Sequence, residues 1–511
     1  MSWLLGIIVM GSVVSTTAFD ENNWVDYPAY CSKHVEKNII KELPSSDHYK
    51  LDQVQIAIRH GARTLVGRSM CWDGYNATWN CNARNHIEPS LEMSTHRSFD
   101  VKYTPGETVL KGTCQVGQLL DEGYRQETLN GENFYRAYIA SNRLYQSTEQ
   151  IDLTNDSDIY LSSTDMQRTV MSGQLVVDAM FPKTKSASSL VSWHVGDISQ
   201  SSFVPNPFAC PRLGEIKRDF EASDEYQLWL RQHDALVETI KKTFHSYDPK
   251  GLFDCLLTAR CSLTHTDIPA SVTPQLYNDI IRFERDKRMK IYTEDPIYAK
   301  LSVSKLLRWV RSRMLASTPP RFVLYSGHDD TVMPILAALG GELWLKDWPP
   351  YAAFLAFELY TEISTHKRFV RVIYQGQTLS LEGCDNESLC PLDLFLKWTE
   401  FAETSQCDLH QINIASKTEV PKVEEEDDDF SLTTHVSFET FLLCVIVGVL
   451  LGFVFGLLVA NAARQNSTDQ DKISKPKSLE IKSNDEDENG ELLPPTSEPS
   501  SPTVEMAFKM K

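Results

Sequence analysis

An uninterrupted apolar run, Phe441 to Ala460, divides this chain into two parts that cannot share a compartment. Its length matches one membrane-spanning helix of about 20 residues. Acidic residues precede it, among them the run Glu424 to Asp429, and Arg464, Lys472, Lys475 and Lys477 follow it. The positive-inside rule then puts the C-terminus in the cytosol and everything before the run in the lumen or outside the cell. Segment 441–463 is therefore expected to be a single transmembrane helix of type I topology. Gly448, Gly452 and Gly456 recur within it at four-residue spacing, which suits either a helix dimer or a lipid-facing surface.

The N-terminus agrees with this topology. Trp3 to Val14 is apolar and small residues follow through Ala18, so residues 1–18 read as a secretory signal peptide. The apolar core is too short to span a bilayer comfortably. Of the eleven cysteines, only Cys444 falls in the transmembrane run. The other ten are Cys31, Cys71, Cys81, Cys114, Cys210, Cys255, Cys261, Cys384, Cys390 and Cys407. An even number outside the membrane suits disulfides in an oxidising compartment. The pairing is not legible. The short spacings Cys71/Cys81, Cys255/Cys261 and Cys384/Cys390 are the simplest local choices, and none has the Cys-x-x-Cys spacing of a zinc site. Glycosylation sequons begin at Asn76, Asn155 and Asn386.

Residues 418–440 form an acidic stalk, and 464–511 are a Ser-, Pro- and acid-rich tail expected to be disordered. The tail holds Glu488-Asn489-Gly490-Glu491-Leu492-Leu493. With Glu488, Leu492 and Leu493 as its anchors, this matches the acidic dileucine pattern by which clathrin adaptors sort proteins to endosomes and lysosomes. A lysosomal or endosomal membrane is the expected location; the cell surface or another secretory-pathway membrane is the alternative. The formal charge is −19, and much of the excess lies in the stalk and tail. Wholesale nucleic-acid binding is excluded on that ground. A balance of 42% hydrophobic and 23% charged residues excludes global disorder, collagen and a polytopic membrane protein.

The working part is 19–417, and it reads as alternating strand and helix. Val54, Ile56 and Ile58 mark a strand ending at Arg59. Ile159 to Leu161 is a short strand before Ser162-Ser163-Thr164-Asp165, with a helical pattern following through Met171, Leu175 and Met180. Phe322 to Tyr325 is a strand, followed by Gly327-His328-Asp329-Asp330 and a helix through Leu339. Phe354 to Tyr360 and Arg368 to Tyr374 are two more strands. Between Pro182 and Thr318 the pattern is mainly helical, with Tyr226 to Phe244 and Leu301 to Met314 as examples. This block is expected to be an inserted helical cap. The fold class is α/β: a central mixed sheet flanked by helices, plus the cap and one C-terminal transmembrane helix.

Three units share one grammar of apolar strand, short polar turn and helix. In an open α/β sheet such turns line the carboxyl edge, where ligands bind. Arg59-His60-Gly61-Ala62-Arg63, Asp165-Met166-Gln167-Arg168 and Gly327-His328-Asp329 together gather three arginines, two histidines and a catalytic-type aspartate. The planar guanidinium fork suits phosphate, and helix N-termini add backbone donors. Unpaired buried arginines have no packing use, so an oxyanion is the natural partner. Asp330 reads as a helix N-cap. His86, His96, His194 and His265 read as surface or hydrogen-bonded residues, and Trp72, Tyr75 and Trp79 as local packing.

Arg59-His60-Gly61-Ala62-Arg63 resembles the signature of the histidine acid phosphatases, branch 2 of the histidine phosphatase superfamily. His328-Asp329 is similar to that family's His-Asp motif, and Arg168 to its third phosphate-binding arginine. Cys390-Pro391-Leu392 resembles its C-terminal region. The resemblance extends over most of Asp20 to Cys407 and implies a phosphoglycerate-mutase-like fold. It implies that His60 is the nucleophile that forms a phosphohistidine and that Asp329 is the proton donor. Arg59, Arg63, Arg168 and His328 would hold the phosphate oxygens. It implies no metal and no other cofactor, a phosphomonoester substrate, and leaves a homodimer open. Leu65 stands where the family commonly has proline, a residue that stiffens a loop and performs no chemistry.

The leading expectation is a type I membrane-anchored acid phosphatase. A catalytically weak receptor for phosphorylated glycans or lipids is the alternative. A phosphotransferase or mutase is a third reading, since a phosphohistidine can pass its group to acceptors other than water.

Overall fold

Strand β1, Tyr49–Arg59, is buried at nearly every position from Leu51 onward, as a central strand covered on both faces must be. Its side chains alternate between two cores. Val54, Ile56 and Ile58 pack with Phe134, Tyr138, Val176, Val177 and Met180. Ala57 packs on the other face with Leu306, Leu307, Val310, Val332, Ile335 and Leu336. The two buried polar residues on that second face are satisfied. Gln55 donates to Gln53 Oε1 and to the Val310 carbonyl, at 2.7 and 2.9 Å, and accepts from the Tyr325 hydroxyl at 2.8 Å.

This computed structural model describes residues 29–407, except 44–45, 67–70, 82–85, 88–98, 101–109, 147–150, 182–189, 197, 245–248, 263–267, 385–388 and 405–406. The expected signal peptide, stalk, transmembrane segment and tail, with Glu488, Leu492 and Leu493, lie outside the described residues, as do Asn386, His96 and His265. Among the described residues no helix is long and apolar enough to cross a membrane.

After β1 come a short ribbon of β2 (His86–Ile87) with β3 (Phe99–Asp100), helix α1 (Asp121–Phe134), β4 (Ile159–Thr164), α2 (Gln167–Met180) and β5 (His194–Gly196). A helical block follows: α3 (Pro211–Ala222), α4 (Asp224–Arg231), α5 (Asp234–Thr243), α6 (Pro249–Cys261), α7 (Pro274–Glu294) and α8 (Pro296–Leu315). The chain then returns through β6 (Phe322–Gly327), α9 (Asp329–Trp344), β7 (Phe354–Glu362), β8 (Arg368–Tyr374), β9 (Gln377–Leu379), β10 (Cys390–Pro391) and α10 (Leu392–Trp398). The mixed sheet runs β10-β8-β7-β1-β6-β4-β5, with β9 on β8. The four strands β1, β6, β4 and β5 are parallel, and β7, β8 and β10 are antiparallel.

Register decides where the chemistry lies. Arg59 pairs with Gly327, and Ser163 with Ser326, so β1, β6 and β4 end level with one another. Their following turns therefore share one edge of the sheet.

The helical block divides differently from expectation. β5 joins the sheet beside β4, and α8 belongs to the main core with α9 rather than to a cap. Buried Leu306, Leu307 and Val310 place α8 against the sheet. A core helix and a cap helix carry the same apolar period, so pattern alone could not separate them. The cap proper forms its own core, in which Phe244, Leu252, Leu256, Tyr277 and Ile280 meet Leu65, Trp72 and Trp79 from the β1–α1 connection. The single helix expected over Tyr226 to Phe244 is two, α4 and α5, broken at His233.

Two of the three local disulfide choices are corrected. The bonds are Cys31–Cys261, Cys71–Cys255, Cys81–Cys114, Cys210–Cys407 and Cys384–Cys390. Cys255 and Cys261 share α6, where six residues rise roughly 9 Å, beyond the reach of roughly 7 Å between Cα atoms. Cys81 is set beside Cys114 because Trp79 N donates to the Lys111 carbonyl and Thr113 N to the Trp79 carbonyl, at 2.7 and 2.9 Å.

Candidate active site

The turn after β1 is fixed from three sides. His60 N donates to the Gly327 carbonyl at 3.0 Å, and the His60 carbonyl accepts from Ala352 N at 3.1 Å. Ala62 N donates to Gln126 Oε1 at 2.8 Å, and the Ala62 carbonyl accepts from Leu120 N at 2.9 Å. Glycine is required where this turn meets α1. A Cβ on Gly61 would stand 2.5 Å from the Gly123 carbonyl, and one on Gly123 2.2 Å from that of Ala62.

His60 is 2% exposed, and its Nδ1 lies 2.8 Å from the Gly61 carbonyl. A carbonyl can only accept, so Nδ1 carries the proton and Nε2 keeps a free lone pair. Burial, followed by the charges of Arg168, Arg59 and Arg63 and by His328, holds His60 well below the ordinary histidine range. It is therefore neutral in acid. The His328 ring stands 5.5 Å away, centroid to centroid, in an edge-on arrangement.

Arg59 is completely buried at the end of β1. Its guanidinium lies against the rings of Tyr30 and Tyr351, at 4.7 and 4.6 Å. It donates to the Tyr30 hydroxyl and the Pro349 carbonyl, and Nη2 stands 3.2 Å from Asp329 Oδ2. Arg63 forms a fork with Asp254 of α6, Nη2 to Oδ1 at 2.9 Å and Nη1 to Oδ2 at 3.3 Å. Asp254 also accepts from Val66 N at 2.6 Å.

Arg168, in the first turn of α2, differs from both. Its Nε is buried without a hydrogen-bond partner, and among the described residues no carboxylate pairs with it. Burial and then the nearby Arg63 bring it down to about 10, with Asp329 and Asp254 opposing. Gly117, at φ +74°, lets its turn approach; a Cβ there would stand 3.2 Å from Arg168 Nη1.

His328 ends β6 as the N-cap of α9, and its backbone N donates to Thr331 Oγ1 at 2.9 Å. Its Nε2 is 2.9 Å from Thr164 Oγ1, at the end of β4. Burial and then Arg168 lower its basicity, with Asp329 opposing. Asp329 accepts from Trp348 Nε1 at 2.8 Å through Oδ2, and from Asp330 N at 3.1 Å through Oδ1. Burial alone would raise this carboxyl, but Arg59, Arg63 and His328 hold it well below the usual carboxylate range. Asp330 is not the N-cap expected; His328 takes that position, and Asp330 is exposed in the first turn.

The structure thus brings Arg59, His60, Arg63, Arg168, His328 and Asp329 to one place. A family model described as the histidine phosphatase superfamily (branch 2) matches residues 50–375, which contain all six. The chain is a branch 2 histidine phosphatase. It is 26% identical over 371 residues to counting factor 60 of Dictyostelium discoideum, covering 69% of this chain and 86% of that protein. It is 25% identical over 438 residues to lysophosphatidic acid phosphatase type 6 of Homo sapiens, covering 78% and 95%. A solved phytase from Citrobacter braakii aligns at 14% identity and a TM-score of 0.48, over 70% of this chain and 99% of that one.

In this phosphatase several site residues escaped sequence reasoning. Asp254 sits in a cap helix with nothing local to mark it. Trp348-Pro349-Pro350-Tyr351 wraps the centre: Trp348 holds Asp329, Pro349 holds Arg59, and Tyr351 stacks on Arg59. Paired prolines between two aromatics were the available signal. Leu65 is fully buried in the cap core, and its carbonyl accepts from Gly117 N at 2.8 Å. Packing holds the loop where a proline ring would stiffen it. Trp72 and Trp79 belong to that same core, as the packing reading has it, and His194 stacks on Tyr160 at 4.3 Å. Asn76 and Asn155 are exposed.

Proposed function

We propose that this histidine phosphatase is an acid phosphatase that hydrolyses phosphate monoesters through a phosphohistidine on His60. The carrying observation is the uncompensated charge of Arg168 beside a neutral imidazole, with Arg59 and Arg63 anchored nearby. Such a cluster is complete only with an oxyanion that has several acceptor oxygens. His60 Nε2 attacks phosphorus, and the bond to the leaving oxygen breaks. That oxygen takes a proton from Asp329. Water then displaces His60 from phosphorus and returns its proton to Asp329.

Arg59, Arg63 and His328 favour the ionised form of Asp329, so in this mechanism its proton arrives with the substrate. Phosphate monoesters lose their second proton at about pH 6. At pH 5 the bound monoanion carries that proton, and its charge offsets the arginines that hold Asp329 ionised. At pH 7 the dianion brings none. Burial and the neighbouring arginines favour the neutral form of His60, which limits its loss in acid. The arginines supply the charge neutralisation, and no cofactor takes part in these steps.

The location follows from the sequence: a single-pass type I protein of lysosomal or endosomal membranes, glycosylated at Asn76, Asn155 and Asn386. The receptor reading is disfavoured because Leu65 is buried away in the cap core.

The test uses full-length protein and labelled substrate, quenched in acid. Wild type should yield an acid-labile, base-stable phosphoenzyme and turn over faster at pH 5 than at pH 7. His60→Ala should form none and lose activity by at least about ten-thousand-fold. Full activity in His60→Ala would end the proposal.

A further inference from the structure

Glu127 of α1 is a titratable group that the mechanism above does not use. It is 0% exposed, on the face of α1 that meets α2 and the two turns around His60. Two routes lead from it to His60, the first hydrogen-bonded throughout. In the first, Asn130 Nδ2 donates both to Glu127 Oε2 at 3.0 Å and to the Ala352 carbonyl at 2.9 Å. Ala352 N in turn donates to the His60 carbonyl at 3.1 Å. In the second, Glu127 stands close to Ser172 on α2. Ser172 Oγ accepts from Gly61 N at 3.2 Å, and the Gly61 carbonyl accepts from His60 Nδ1 at 2.8 Å. The two routes grip the backbone and the ring of one residue.

Two features show that the grip matters. Ala352 has φ +55°, a left-handed conformation that a non-glycine residue keeps only when its surroundings hold it. The Asn130 bond to its carbonyl is such a hold. Glu127 Oε1 and Asn130 Oδ1 are also buried without partners. A carboxylate with so few donors in a dry site is costly, and a protonated carboxyl is much less so.

We propose that Glu127 is a positioning residue for the nucleophile: as a neutral acid it braces Asn130 and Ser172 so that the His60 turn keeps its attacking geometry. This rests on His60 being the nucleophile.

Among the described residues, the groups acting on its charge are Asn130 from α1 and Ser172 from α2, and no ionised group of the His60 or Ala352 turn contributes. Burial pushes it up to about 8 from an ordinary 4.5. The sign follows. The unfolded chain loses this proton near 4.5, while the folded chain keeps it to about 8. Its contribution to stability is full below 4.5 and is lost as pH rises towards 8.

The experiment compares full-length wild type, Glu127→Ala and Glu127→Gln on p-nitrophenyl phosphate at pH 5, with melting temperatures at pH 5 and pH 8. Glu127→Ala should lower kcat about tenfold with KM changed by less than about twofold. Glu127→Gln, permanently neutral, should recover most of that loss. Its melting temperature should rise relative to wild type between pH 5 and pH 8, because only wild type ionises there. A merely space-filling role would leave that difference independent of pH. Wild-type kcat in Glu127→Ala overturns the proposal, as does an equal pH dependence of melting in wild type and Glu127→Gln. If Glu127→Ala fails to fold, the melting comparison of the other two decides. His60→Ala in the same assay separates the underlying reading: activity there would displace the nucleophile, and the Glu127 melting comparison would still be read on its own.

Discussion

Asp254 illustrates how one residue outside the motifs can govern those inside them. In the proposed mechanism Arg63 binds phosphate only while its fork points the right way, and Asp254 fixes that direction with two bonds, at 2.9 and 3.3 Å. The same carboxylate accepts from Val66 N, so it also ties down the end of the loop. Asp254→Asn keeps the shape and removes the charge. Hydrogen bonds to charged groups contribute about 1.5–3 kcal/mol. The variant should therefore lose about ten- to a hundredfold in kcat/KM on p-nitrophenyl phosphate, mostly through KM. A change below twofold would show that Arg63 is oriented without it. His60, Arg168 and Asp329 were legible because each follows an apolar strand by a fixed short step, and the parallel register carries such turns to one edge. Asp254 was not, because a helical aspartate among apolar neighbours resembles any half-buried polar residue. Only the docking of α6 onto the loop beyond Arg63 reveals its partner.

Helix α6 is in turn an element held by two disulfides. Cys71–Cys255 joins it to the β1–α1 connection, and Cys31–Cys261 joins its last residue to the N-terminal segment. Cys255 follows Asp254 directly, and Cys31 follows Tyr30, which stacks on Arg59. The covalent frame thus ends on residues adjacent to two supports of the phosphate site. Removing a native disulfide from a secreted domain costs about 2–5 kcal/mol. Cys31→Ser combined with Cys261→Ser should lower the melting temperature and also raise KM, since Tyr30 loses its anchor. An unchanged KM with a lower melting temperature would assign this bond to stability alone. Strand positions, the α2 and α9 helices and the mixed sheet were readable from period and turn residues. The pairing of cysteines and the boundary between cap and core were not. Both depend on which helices meet, and α8 shows no local sign that it covers the sheet rather than the site.

At the scale of the whole molecule, chemistry and address depend on one another. The proposed mechanism draws its leaving-group proton from a substrate monoanion, and Glu127 braces the nucleophile while it is neutral. The first condition holds near pH 5 and weakens towards neutral pH. A cell-surface copy would meet mostly dianionic substrate, so the enzyme's output depends on delivery to an acidic compartment. The feature proposed to provide this is the tail motif Glu488 to Leu493. Replacing Leu492 and Leu493 together by alanine touches no residue of the phosphatase unit. Extracts assayed at pH 5 should retain wild-type activity, while surface biotinylation should recover several-fold more of the protein and intact cells should show less hydrolysis of endocytosed phosphomonoester. If the surface fraction stays at the wild-type level, the dileucine pair is not the address, and the acidic setting must be reached by another route.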